Sequence, residues 1–168
     1  MTSLYLIRHG VAIEPDPQVP DEGRSLTAEG RRKTQRVAQR LQKLGLVISL
    51  IHTSPLARAQ ETAAIFSETF NCGMAEEALL APGGDLGQWL TWFGPWQLEH
   101  GGKQKAIALI GHEPDLTAWA EQLLWGEVRS VLVLKKVGII GVTVPDREPF
   151  MGQGLLFLLA PPKMFGDV

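Results

Sequence analysis

Arg8, His9, Arg58 and His112 are the residues of this chain best equipped to do chemistry, and each follows an apolar stretch. Arg8-His9-Gly10 closes the run Leu4-Tyr5-Leu6-Ile7. Arg58 opens the segment after Leu46–His52, in Thr53-Ser54-Pro55-Leu56-Ala57-Arg58. His112 follows Ala106–Ile110, in Gly111-His112-Glu113-Pro114. A neutral imidazole is a nucleophile, and a guanidinium holds the oxygens of an anion in a planar fork. Two of each around one point make a site for a phosphoryl group. Gly10 has no Cβ, so the backbone there is expected to turn sharply and let a substrate come close.

That convergence requires parallel strands, since ligands of open α/β sheets gather beyond the carboxyl ends of the strands. The order of elements provides them. Short apolar runs at Leu4–Arg8, Leu46–His52 and Ala106–Ile110 read as buried strands. Helices are predicted between them. One starts after Thr27, a capping residue, and ends at Gly45, with Val37, Leu41 and Leu44 at helical spacing. A second runs from about Leu56 to Phe70 and a third follows Asp85, a further capping residue. A fourth starts at Pro114, which suits a first helical turn. Ala12–Ser25, with Pro15, Pro17, Pro20 and Gly23 among four acids, reads as a loop. Ala75–Leu80, Val131–Leu134, Gly138–Val144 and Leu155–Leu159 read as further extended or β segments, the last two as a hairpin. The expected fold is a three-layer α/β/α sandwich over residues 1–168, one domain, with a mostly parallel central sheet and antiparallel pairing at its edge.

Composition narrows the function. The chain is 45% hydrophobic and 20% charged, with a formal net charge of -2. No basic run marks a nucleic-acid binder. The basic residues Arg31, Arg32, Lys33, Arg36 and Arg40 are read as a solvated helix face rather than an anion site. Cys72 is the one cysteine, so no internal disulfide forms and no oxidising compartment is indicated. No apolar run approaches the ~20 residues that span a bilayer, and Met1-Thr2-Ser3 does not begin a signal peptide. A cytoplasmic location is the expectation. His112-Glu113 lacks a second histidine at position 116, which is Leu116, so the zincin pattern is not met. No Walker-type or dinucleotide loop is present either; neither a metal nor a cofactor is expected.

Four segments, in order, carry a family resemblance. They are Leu6-Ile7-Arg8-His9-Gly10, Leu26-Thr27-Ala28-Glu29-Gly30, Thr53-Ser54-Pro55-Leu56-Ala57-Arg58-Ala59-Gln60-Glu61-Thr62 and Ile110-Gly111-His112-Glu113-Pro114. Together they resemble the histidine phosphatase superfamily, whose fold is phosphoglycerate-mutase-like. The short length, Gly111-His112-Glu113-Pro114 and Pro82-Gly83-Gly84-Asp85 resemble its small SixA-type phosphohistidine phosphatase branch. The resemblance implies a metal-independent phosphatase with His9 as nucleophile and Arg8, Arg58, His112, Arg24 and Gly10 around the phosphate. The substrate it implies is a phosphorylated histidine-containing protein of the phosphorelay type. Larger members use a glutamate as proton donor; here Asp85 matches the acid position better than Glu76 or Glu77. Asp85 has two readings, helix cap and proton donor, and Arg24 has two, phosphate contact and solvated loop residue. A small-molecule phosphomonoesterase and a non-catalytic phosphohistidine or phosphate binder are the alternatives. The Trp89, Trp92 and Trp96 helix either covers the site or makes an oligomer contact.

Overall fold

The structure is a computed structural model that describes residues 1–100 and 105–165. Ten helices and strands alternate in it as the sequence predicts. They are β1 (Thr2–Arg8), α1 (Ala28–Lys43), β2 (Leu50–Thr53), α2 (Ala57–Phe70), β3 (Gly73–Glu76), α3 (Leu86–His100), β4 (Ala106–Gly111), α4 (Asp115–Trp125), β5 (Ile139–Val144) and β6 (Leu155–Ala160). The sheet order is β3-β2-β4-β1-β5-β6. The pairs β3–β2, β2–β4 and β4–β1 are parallel; β5 runs antiparallel to both β1 and β6.

Side chains of β1 and β4 alternate between the two faces, as the period of two demands. Leu4, Leu6, Ile107 and Leu109 face the layer of α3 and α4, against Trp89, Phe93, Leu116 and Leu123. Tyr5, Ile7, Ala108 and Ile110 face α1 and α2, against Val37, Leu41, Ala63 and Phe66. Both faces of the central strands are therefore buried, which explains why these strands read as continuous apolar runs. The fold is the expected three-layer α/β/α arrangement. Among the described residues no helix is long and apolar enough to cross a membrane.

Local chemistry sets the ends of the elements. Thr27 caps α1, its Oγ1 accepting from the Gly30 N–H at 2.9 Å. Asp85 caps α3, its Oδ1 accepting from the Gln88 N–H at 2.8 Å. Strand β2 is shorter than predicted. The Leu46 N–H donates to the Leu41 carbonyl and Gly45 adopts φ +85°, so residues 45 and 46 close α1 instead of joining the ladder. The tryptophans of α3 stack along it, Trp92 on Trp96 and Trp96 on His100. The buried Trp89 Nε1–H donates to His52 Nδ1 at 3.2 Å, which gives His52 a structural partner.

One predicted strand is not a strand. Val131–Leu134 has no ladder partner, and the N–H groups of Val131 and Leu132 are committed elsewhere. The fully buried Glu121 of α4 accepts from the backbone N–H groups of Arg129, Ser130, Val131 and Leu132, at 2.6 to 2.9 Å. Burial by itself raises the pKa of this carboxyl, but the four donors outweigh it and hold the group below its ordinary value. The sequence shows four apolar residues there and hides the carboxylate that claims the donors of the first two.

The Glu121 clamp acts through its ionised form. Its stabilisation is complete above the unfolded carboxyl pKa of about 4.3 and is lost as pH falls through the lower folded value. Glu121→Gln retains the shape but weakens the acceptor. It should destabilise the protein by about 2–4 kcal/mol at neutral pH, roughly 5–15 °C in melting temperature, with a smaller difference in acid. Thermal melts of both proteins across pH check this; equal melting at pH 7 would contradict it.

Candidate active site

The register of the parallel strands creates one site edge. Arg8 pairs with Gly111 across β1 and β4, and Thr53 pairs with Ile110 across β2 and β4. The residues that follow, His9, Ser54 and His112, therefore leave the sheet side by side. The His9 N–H donates to the Gly111 carbonyl at 3.1 Å and the Ser54 N–H to the Ile110 carbonyl at 2.9 Å, which extends the ladder one step past the strands. The rings of His9 and His112 lie 5.1 Å apart between centroids.

His9 has one usable tautomer. Its Nδ1 lies 2.7 Å from the Gly10 carbonyl oxygen, which can only accept, so Nδ1 carries the proton and Nε2 carries the lone pair. Burial lowers the pKa of His9, and the charges of His112, Arg58 and Arg8 lower it further, to about 3 against the partial opposition of the Gly10 carbonyl. The ring is neutral throughout the neutral pH range. Neighbouring cations and burial both keep His9 uncharged, and burial is the larger cause.

His112 is the complementary group. Its Nε2 lies 2.8 Å from Ser54 Oγ, which accepts the Leu56 N–H at 3.2 Å and whose own proton has no other acceptor among the described residues. That assigns the imidazole proton to Nδ1, which is buried and has no partner within the protein. Burial, then Arg58, lower the pKa of His112 to about 4.

The two arginines are aimed by contacts distant in sequence. Arg8 Nη1 donates to the Leu134 carbonyl at 3.0 Å, and its buried Nε has no partner within the protein. Arg58 is held by Asp21: Nη1 donates to the Asp21 carbonyl at 2.8 Å and Nη2 to Oδ2 at 3.0 Å. Asp21 also accepts from Arg24 Nη1 at 2.8 Å; hydrogen bonds from Arg24 and then Arg58 hold its carboxyl below the usual range. Sequence reasoning missed Asp21, treating it as one acid among four in a proline-rich loop. Its signal was chemical: an arginine beside a helix N-terminus calls for an anion.

Other motif residues hold the frame. Thr62 Oγ1 accepts from the Gly10 N–H at 3.0 Å and donates to the Arg58 carbonyl at 2.7 Å, tying the first turn of α2 to the end of β1. Glu61 Oε2 accepts from the Leu26 N–H at 2.7 Å. A Cβ on Gly30 would stand 2.1 Å from the Val11 carbonyl, so only glycine lets α1 start this close to the loop after β1.

Three of the expected site residues have other partners in the structure. A Cβ on Gly10 would meet Thr34 Oγ1 at 2.6 Å and Leu26 at 3.0 Å, so Gly10 makes room for α1 and its neighbour loop. Arg24 spends Nε and Nη2 on the Ile13 carbonyl and reaches the cluster only through Asp21. Asp85 is exposed and caps α3; among the described residues no hydrogen bond or ion pair joins it to His9, His112 or either arginine. Nor are the nearby glutamates part of the cluster. Glu76 Oε2 accepts from Gln60, and Glu77 Oε1 accepts from the Leu79 N–H.

Comparison with known proteins follows the same lines. The model of the histidine phosphatase superfamily (branch 1) matches residues 4–89, which hold three of the four motif segments. An uncharacterized protein of Picosynechococcus sp. (strain ATCC 27264 / PCC 7002 / PR-6) is 41% identical over 163 residues, covering 95% of this chain and 96% of that one. Among solved structures, the protein histidine phosphatase SixA complexed with tungstate superimposes with a TM-score of 0.83 at 22% identity, covering 98% of this chain and 99% of that one. Mycobacterial glucosyl-3-phosphoglycerate phosphatase gives 0.71 at 14% identity, over 94% and 97% of the two chains. A phosphoserine phosphatase mutant from Entamoeba histolytica, in complex with phosphoserine, gives 0.64 at 16% identity, over 97% and 98%. By sequence and by fold, the chain belongs to the histidine phosphatase superfamily.

Proposed function

We propose that this chain is a SixA-type phosphatase that transfers a phosphoryl group from a protein phosphohistidine to water by way of His9. The observation that carries the reading is the fixed tautomer of His9: Gly10 holds Nδ1–H, so Nε2 meets phosphorus with its lone pair.

In the first step His9 Nε2 forms a bond to phosphorus as the P–N bond to the substrate histidine breaks. The substrate imidazole, carrying a proton on its other ring nitrogen, leaves neutral. This is why Asp85, exposed and committed to a cap, is not required as an acid for this substrate; an alkoxide leaving group would need one. In the second step water attacks phosphorus, the bond to His9 breaks, and phosphate departs with the water's oxygen. Arg8 and Arg58 neutralise the equatorial oxygens in both steps, and His112 Nδ1–H donates to one of them. Asp21, with Arg24 behind it, acts as a positioning residue for Arg58.

Two features support a protein-borne substrate. The connection from α2 to α3 is spent on β3 and one turn of 3-10 helix at Ala78–Leu80, so it raises no inserted helix over the cluster. The second is the superposition on SixA complexed with tungstate, at a TM-score of 0.83; two putative SixA structures and the sugar-ester phosphatase all stand at 0.71.

His9→Ala should abolish acid-labile labelling of the enzyme by phosphate and lower kcat/KM at least about 10⁴-fold. Arg58→Ala should lower kcat by roughly 10²–10³-fold. Rapid-quench labelling with a phosphohistidine protein checks both; a labelled, active His9→Ala enzyme would overturn the mechanism. The histidine pKa values give a separate test. The folded protein takes up protons on His9 and His112 only near 3 and 4, the unfolded chain near 6.5, so these groups cost stability as pH drops below about 6.5. Ring-nitrogen NMR should find His9 neutral, with its proton on Nδ1, from about pH 5 to 8. A His9 ring titrating near 6.5 contradicts the reading.

A further inference from the structure

A cleft of about 820 Å³ begins at Arg8 and runs away from the cluster between α1, the turn before β5 and the segment after β6. It is lined by Arg8, Lys33, Lys135, Lys136 and Lys163, and by no carboxylate. The chain as a whole has a net charge of -2, so positive charge is concentrated here against the average. The four lysines come from three separate segments, which distinguishes them from a solvated face of one helix. None has an ion-pair partner among the described residues, in contrast to Arg31 on α1, which pairs with Glu61 at 2.8 Å.

Like charges gathered in one concavity repel each other, and a low-dielectric wall focuses their field outward. The wall here is apolar: Val133, Leu159, Pro161 and Pro162 form it. An anionic partner with aliphatic surface relieves the repulsion and covers the wall at the same time. Lysine ammonium groups are mobile, strongly hydrated point charges. They suit several carboxylates at loosely defined positions better than the bidentate grip on a second phosphate, for which arginine is the usual residue. Arg8 lines this cleft and also a second one that holds Glu113 and Glu121; of the two, only the lysine-lined cleft offers an acidic segment beside the phosphoryl group a path free of carboxylates.

We propose that this cleft is the docking groove for an acidic stretch flanking the phosphohistidine of the substrate protein. The proposal rests on the phosphohistidine reading above and adds a substrate preference to it. The groove raises the encounter rate and affinity for substrates with aspartate or glutamate near the phosphohistidine, and does so less as salt rises.

Two synthetic peptides test it, each with one phosphohistidine, flanked in one by aspartates and in the other by serines. The wild-type enzyme should favour the acidic peptide about tenfold or more in kcat/KM at ~0.05 M salt, and only a few-fold at ~0.5 M. The ratio should fall toward one in Lys135→Gln/Lys136→Gln and, separately, in Lys33→Gln/Lys163→Gln; all four are surface positions. Equal rates for the two peptides in the wild type, or a preference that survives in both double variants, overturn the groove and leave the phosphohistidine reading standing. Turnover of p-nitrophenyl phosphate with none of either peptide refutes the phosphohistidine reading itself, and the groove with it.

Discussion

Three parallel strands ending in one line make the rest of this molecule possible. The ladders pair Arg8 with Gly111 and Thr53 with Ile110, and the next backbone donors, on His9 and Ser54, continue the same ladders. A one-residue slip of β1 would turn His9 toward the opposite face and bury apolar side chains where polar ones belong. The register is secured by burial on both faces, since every second residue of β1 and β4 belongs to a different core. The hydrophobic layers therefore stabilise the fold and place the imidazoles through the same contacts.

Placement along the edge leaves the aim of the guanidiniums open, and two loops settle it by different means. Glu121 gathers four backbone N–H groups and fixes the segment that presents the Leu134 carbonyl to Arg8. That contact is neutral, so Arg8 is oriented with its full charge available to a ligand. The same turn holds Val137 at φ +60°, an unfavourable conformation for a β-branched residue, with its N–H donated to the Arg8 carbonyl. Arg58 is instead oriented by a carboxylate, that of Asp21, which offsets part of its field. The site thus has one arginine held by a dipole and one held by a counter-charge. The second arrangement answers the electrostatic problem of placing a buried arginine at the start of a helix.

The basic cleft extends this logic outward. Arg8 stands at its inner end, and four lysines continue the positive field along an apolar wall into solvent. The guanidinium at the inner end is held by a backbone contact, whereas the lysines beyond it have no ion-pair partner among the described residues.

His9, its cationic neighbours and the α/β alternation were legible in the sequence because they rest on local signals. Apolar runs ended by glycine define the strands, Thr27 and Asp85 define helix starts, and Arg8, His9, Arg58 and His112 each sit just past an apolar run. What stayed hidden were contacts between residues far apart in the chain. Val131–Leu134 reads as a strand because nothing local reveals that Glu121 takes the donors of Val131 and Leu132. Gly10 reads as room for a ligand because the approach of Thr34 arises only when α1 packs. Asp21 is one of several loop acids until folding carries it 37 positions forward to Arg58. Local propensity and pattern determine which groups exist and on which element they lie. Only tertiary packing decides which donor meets which acceptor, because a polar group buried by folding must take the partner that the packed neighbours bring to it.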